Sequence, residues 1–249
     1  MESEVVKEKI HTEPMLNDPK YITLLSLIVL IFTLVFWWLF SRRRHQRRSV
    51  LLTGLSDSGK TLLFVRLAYS QYRQTFTSMK ENVEDYAVGN KTLKLVDLPG
   101  QERLRNKFFD QYKSSAKGIV YVIDSETVQK EIRDVAEYLY TILSDPTVQS
   151  NSPPVLILCN KQDLPLAKGS QVIKGLLEKE LNLVRVTKSN QLQSVDPSAP
   201  NSAYLGKPGK PFEFSQLSSK LEVVEGSANA DDDDAPTQMI ALQEWISKL

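Results

Sequence analysis

One stretch, Gly54-Leu55-Ser56-Asp57-Ser58-Gly59-Lys60-Thr61, constrains the fold of this 249-residue chain more than any other. It matches G-x-x-x-x-G-K-[ST] and sits between an apolar run, Ser49–Thr53, and a segment of helical spacing, Thr61–Tyr69. A strand must deliver such a loop and a helix must receive it. Its glycines let backbone N–H groups wrap a chain of phosphates, and the helix start adds partial positive charge. Lys60 supplies a point charge for the β- and γ-phosphates, and the Thr61 hydroxyl is placed for Mg²⁺. The motif specifies a nucleoside triphosphate and leaves the base open.

The rest of the chain alternates as such a loop requires. Val83–Val88 and Thr92–Asp97 read as two strands joined by a turn at Gly89-Asn90. Gly118–Asp124 and Pro154–Asn160 are Val/Ile-rich runs suited to strands buried on both faces, and Lys220–Val224 is a last strand. Helical spacing marks Thr127–Ser144, Gln171–Leu183 and Gln238–Leu249. The expected fold is α/β: a P-loop NTPase with a mostly parallel six-stranded sheet, one antiparallel edge and helices on both faces. Ser189–Gly209, rich in Ser, Pro, Asn and Gly, reads as a mobile loop within an insertion near 187–215. Asp231–Asp234 reads as a solvated loop.

Two further motifs fall at strand ends, where open parallel sheets bind ligands. In Asp97-Leu98-Pro99-Gly100 the carboxylate can hold Mg²⁺ and the glycine N–H can meet a γ-phosphate. In Asn160-Lys161-Gln162-Asp163 the Asp163 carboxylate can accept two N–H bonds from a guanine edge. Adenine would leave that charge unpaired.

Tyr21–Phe40 contains no charge, proline or glycine. About 20 helical residues span about 30 Å, the thickness of a bilayer core. Trp37 and Trp38 suit the headgroup level, and Arg42, Arg43, Arg44, Arg47 and Arg48 follow, so the expected topology puts the chain after the span in the cytosol. Residues 1–20 are then a short luminal tail, 21–40 the transmembrane helix, 41–48 a basic flank and 49–249 the nucleotide-binding domain. A cleaved signal peptide would have a shorter apolar core and a positive amino end. Here Glu2, Glu4, Glu8, Glu13 and Asp18 outnumber Lys7, Lys9 and Lys20. Glu2 at position 2 excludes myristoylation, and the absence of a cysteine near the carboxyl end excludes prenylation. The sequon Asn90-Lys91-Thr92 never meets the lumen on this topology. Net charge is +1, which points to no nucleic-acid partner. The single cysteine, Cys159, lies in an apolar run; it allows no internal disulfide, fits a reducing compartment and reads as a small buried hydrophobe.

The order and spacing of the three motifs resemble Ras-like small GTPases, particularly the Arf/Sar branch. An integral anchor joined to such a domain looks like the signal recognition particle receptor beta-subunit family. GLSDSGKTLLFVRL, LVDLPGQERLR, SSAKGIVYVIDS, CNKQDL, LEKELN and FEFSQL resemble that family closely, the last outside any nucleotide motif. The resemblance implies GTP and Mg²⁺ as cofactors. Gly54, Asp57, Ser58, Gly59, Lys60, Thr61 and Gly100 would hold the phosphates. Thr61, Asp97 and Thr77 (with Thr75 as rival) would hold the metal. Asn160, Lys161, Asp163, Ser227 and Ala228 would hold the base, and Gln101 would position water for slow hydrolysis. It implies a receptor alpha subunit as partner at the endoplasmic reticulum membrane, with the ribosome or translocon as further candidates. Two departures stand out. Asn229 replaces the lysine of the base-contacting S-A-K motif. Ser56 replaces a small glycine near the γ-phosphate, where a side chain crowds the attacking water. A cycling GTPase that recruits a coat or tether, a non-hydrolysing scaffold with structural GTP, and a P-loop ATPase are the alternatives; Asp163 argues against the last.

Overall fold

The computed structural model describes residues 19–45, 47–89, 91–195, 205–229 and 238–249. The chain divides into two units, one ending at Gln46 and the other running from Arg47 to Leu249.

The first unit contains helix α1 (Pro19–His45). Its described side chains, 23–36, are exposed, Phe32 at 75%. Ser26 and Thr33 donate their hydroxyls to the carbonyls of Thr23 and Leu30, each at 2.8 Å, which hides the polar groups against the helix's own backbone. Among the described residues no helix is long and apolar enough to cross a membrane. The described side chains of α1 stop short of the roughly 20 residues a span needs. The tail before Pro19, the Trp37, Trp38 and arginine side chains of α1, Asn90 and Asp231–Asp234 lie outside the described residues.

The second unit is a six-stranded sheet: β1 (Ser49–Thr53), β2 (Asn82–Val88), β3 (Lys91–Asp97), β4 (Ala116–Asp124), β5 (Val155–Asn160) and β6 (Leu221–Glu225), in the order β2-β3-β1-β4-β5-β6. Among the described strands only β2 and β3 pair antiparallel, as expected from the sequence. β1 and β5 are buried at every position, which is why they read as unbroken apolar runs, whereas edge strand β2 alternates. Successive residues serve opposite faces. Val50, Leu52 and Leu95 pack with Leu63, Phe64 and Leu67 of α2 (Lys60–Tyr69) and with Leu242 and Trp245 of α7 (Ile240–Ser247). Leu51, Ile119 and Ile157 pack with Phe108 and Phe109 of α3 (Glu102–Tyr112), with α4 (Val128–Leu143) and α5 (Pro146–Asn151), and with α6 (Ser170–Val195).

The helix read over Gln171–Leu183 runs on to Val195, so Ser189–Val195 is helical and not loop. Its last turns carry few apolar residues, which is why periodicity does not reveal them. Arg185, 3% exposed, explains what α6 does there. Its guanidinium donates to the carbonyls of Leu205 and Lys210 and to Asn182 Oδ1, and lies 5.9 Å from the Phe212 ring. Glu178 accepts from the Phe214 N–H at 3.0 Å. Leu205, Phe212 and Phe214 are buried in the core, so the described end of the insertion is anchored to α6.

Candidate functional site

The carboxyl ends of β1, β3 and β5 and the start of α2 surround a cleft of about 230 Å³, lined among others by Ser56, Asp57, Lys60, Thr61, Thr75, Thr77, Ser78 and Gly100. The phosphate loop owes its shape to its glycines. Gly54 has φ +145° and Gly59 φ +87°. A Cβ on Gly54 would strike the Val122 carbonyl, and one on Gly59 would strike the Asn160 amide. Lys60, 6% exposed, donates to the Leu55 carbonyl at 2.5 Å and to Ser58 Oγ at 3.3 Å. Burial lowers its pKa to about 8, against the pull of Asp97 and Asp57.

Thr61 Oγ1 donates to Asp97 Oδ2 at 2.9 Å, and Asn82 Nδ2 donates to the same oxygen at 2.9 Å. Asp97 is fully buried, its other oxygen has no hydrogen-bond partner, and desolvation raises its pKa. A buried carboxylate oxygen without a donor, beside a hydroxyl at the start of a phosphate loop, suits a hard cation. Among the described residues no cluster of three or more His, Cys, Asp or Glu could hold a metal. A cation here would therefore depend on Thr61, Asp97 and ligand phosphates, as Mg²⁺ sites commonly do. Thr77 and Thr75 line the cleft, but Ser78 is the hydroxyl beside Thr61, 3.1 Å away. Sequence reasoning missed Ser78 and Asn82, because the irregular segment before β2 gives no periodicity to place them.

At the other end, Asn160 Nδ2 donates to the Ser58 carbonyl at 2.8 Å, fastening β5 to the phosphate loop. Lys161, in left-handed backbone at φ +65°, pairs with Asp124 at 2.6 Å. Asp124 also accepts from the Glu126 and Thr127 N–H groups at the entry to α4; Lys161 and these N–H groups lower its pKa despite burial. Asp163 Oδ1 accepts from Ser227 Oγ at 2.5 Å, and its Oδ2 accepts from Asn229 Nδ2 at 3.2 Å. Ala228 is buried, and its carbonyl accepts from Arg66 Nε at 3.3 Å. All the residues expected to hold phosphate, metal and base thus lie along one edge of the sheet. Gln101, expected to position water, follows Gly100 on the same edge. It caps α3, its carbonyl accepting from the Leu104 and Arg105 N–H groups, and it is not among the described residues lining the cleft.

A strand-fed phosphate loop, an acidic strand end and an Asn-Lys-x-Asp turn on a six-stranded, mostly parallel sheet define a P-loop GTPase fold. A sequence profile of the signal recognition particle receptor beta subunit matches residues 45–221. The human receptor subunit beta is 48% identical over 94% of this chain and 88% of its own length. The Saccharomyces cerevisiae subunit is 31% identical over 83% and 86%. The mammalian receptor structure superposes with a TM-score of 0.71 at 47% identity, covering 81% of this chain and 99% of that one. The Chaetomium thermophilum SRb-GDP-Mg structure gives 0.63 at 28% identity, covering 80% and 96%. The chain belongs to the signal recognition particle receptor beta-subunit family.

Proposed function

We propose that this chain is the membrane-anchored GTP-binding subunit of a signal recognition particle receptor. In this reading Tyr21–Phe40 crosses the endoplasmic reticulum membrane once and Arg47–Leu249 works in the cytosol. The observation that carries the nucleotide assignment is the partnerless buried oxygen of Asp97 beside the Thr61 hydroxyl and the buried Lys60. The relative described as SRb-GDP-Mg supports guanine nucleotide and Mg²⁺ as ligands.

Each residue then has a task. Lys60 turns from the Leu55 carbonyl to a phosphate, which gives its buried charge a partner. The amides of the loop from Gly54 to Gly59, with Asp57 and Ser58 shaping it, bind phosphate oxygens. Thr61 and Asp97, with Thr77, Thr75 or Ser78, hold Mg²⁺, which neutralises phosphate charge. Asn160, Lys161, Asp163, Ser227 and Ala228 frame the base. Gly100 responds to the γ-phosphate, and its response orders Tyr72–Met79 and Pro99–Lys113 into the surface that binds the receptor alpha subunit. Phe76, 81% exposed, supports a partner-facing role for the first segment. Gln101, whose backbone caps α3 while its side chain makes no cap bond, positions the attacking water, and hydrolysis is slow because Ser56 crowds that water.

The test uses the full chain in detergent. Nucleotide released on denaturation is identified by chromatography, and alpha-subunit binding is measured for wild type and Lys60→Ala. Guanine nucleotide with loss of binding in the variant supports the reading. Adenine nucleotide, or unchanged partner binding, refutes it.

A further inference from the structure

Asn229 stands where the base-contacting motif has lysine, and its contacts show what it does instead. Its amide side chain donates to Asp163 Oδ2 at 3.2 Å. Its backbone N–H donates to Ser227 Oγ at 3.2 Å, and the Ser227 hydroxyl donates to Asp163 Oδ1 at 2.5 Å. The three residues close a ring that grips both oxygens of one carboxylate. The ring joins two loops 66 residues apart in sequence.

We propose that Asn229 is a specificity-determining positioning residue: it orients the Asp163 carboxylate so that one acceptor site on each oxygen is left for the two N–H groups of a guanine edge. This rests on the guanine-nucleotide reading above. A carboxylate has about four acceptor sites on its two oxygens. Ser227 and Asn229 occupy one on each, and the remaining pair matches the ring N–H and exocyclic amino group of guanine. Asp163 and Asn229 are both exposed, so without the ring the carboxylate would turn freely in water. A lysine at 229 would pack on the base; the shorter Asn229 acts on the carboxylate that reads it. The payoff falls on discrimination, because a bidentate pair depends on carboxylate orientation more than a single hydrogen bond does.

The experiment uses the full chain in detergent. GDP and inosine diphosphate, which lacks the exocyclic amino group, compete against a ribose-labelled fluorescent GDP. Asn229→Ala lowers the preference for GDP over inosine diphosphate by roughly three- to tenfold, the worth of one hydrogen bond. Asn229→Asp, of the same shape but with no donor and a like charge, lowers it at least as much. Melting of the nucleotide-free variants matches wild type. A preference unchanged in both variants overturns the proposal, as does an equal loss for both nucleotides. A wild type that fails to bind GDP overturns the guanine reading itself.

Discussion

The Asn160 carboxamide reaches from the end of β5 to the Ser58 carbonyl at 2.8 Å, so the Asn160–Asp163 turn and the phosphate loop form one mechanical piece. The bond is buried, and Gly59 leaves the room it needs. Asn160→Ala strands a buried carbonyl and is expected to cost about 1–3 kcal/mol of stability. Denaturant unfolding measures the cost. Nucleotide affinity falls with it, since phosphate and base subsites lose their common brace.

Lys60 gives the nucleotide-free protein an unusual response to alkali. Burial pushes its pKa down to about 8 in the folded protein, from the ordinary 10.5 of a lysine in an unfolded chain. Between these the unfolded chain binds the extra proton, so this group's contribution to stability rises as pH climbs from about 8 to 10.5. Below pH 8 its burial is a constant penalty. Lys60→Met is expected to remove the rise and to stabilise the nucleotide-free protein while abolishing phosphate binding. Melting temperatures of the two proteins between pH 7 and about 10.5 show whether the difference between them shrinks with pH.

Thr61→Ala and Asp97→Asn test the cation site. Both are expected to weaken GDP binding at least tenfold in Mg²⁺ and to match wild type in EDTA, a loss of about 1.4 kcal/mol or more. An equal loss in both buffers would assign these residues to phosphate or fold, not metal.

Arg185→Met removes the hydrogen bonds that hold the Leu205 and Lys210 carbonyls. Stability is expected to fall by about 2–4 kcal/mol. Hydrogen exchange is expected to accelerate across residues 205–216 and to stay unchanged in the phosphate loop.

The anchor has its own test. An acceptor sequon placed ahead of Pro19 is expected to be glycosylated in microsomes, and Asn90 is not. The reverse pattern would invert the proposed topology.

What sequence could and could not convey follows from burial. β1, β4 and β5 announced themselves because strands covered on both faces tolerate little but apolar residues. The phosphate loop and the Asn160–Asp163 turn were legible because their chemistry needs particular side chains at particular spacing. α3 buries only Phe108 and Phe109, so no apolar stripe marked it. α5 depends on Asp145 accepting from the Thr147 and Val148 N–H groups, a local cap that composition hides. Arg185 reads as a solvated charge, yet it is buried among carbonyls brought in from about 20 residues downstream, a fact of tertiary packing alone. Ser78 lies beside Thr61, and with Thr75 and Thr77 it belongs to an irregular segment whose register no pattern sets.

Gly100 meets the phosphate loop without slack: a Cβ there would lie 2.6 Å from the Ser56 nitrogen and 2.7 Å from the Leu55 carbonyl carbon. Any group that enters between the two must lift Gly100, and with it the start of α3. The far half of α3 is held by Phe108 and Phe109 in the core. Motion is therefore confined to the first turns, which carry Glu102, Arg103 and Asn106 on the surface. On the proposed nucleotide reading, a phosphate at Gly100 tilts the start of α3 about its buried end, and the exposed charges of Glu102 and Arg103 move with it.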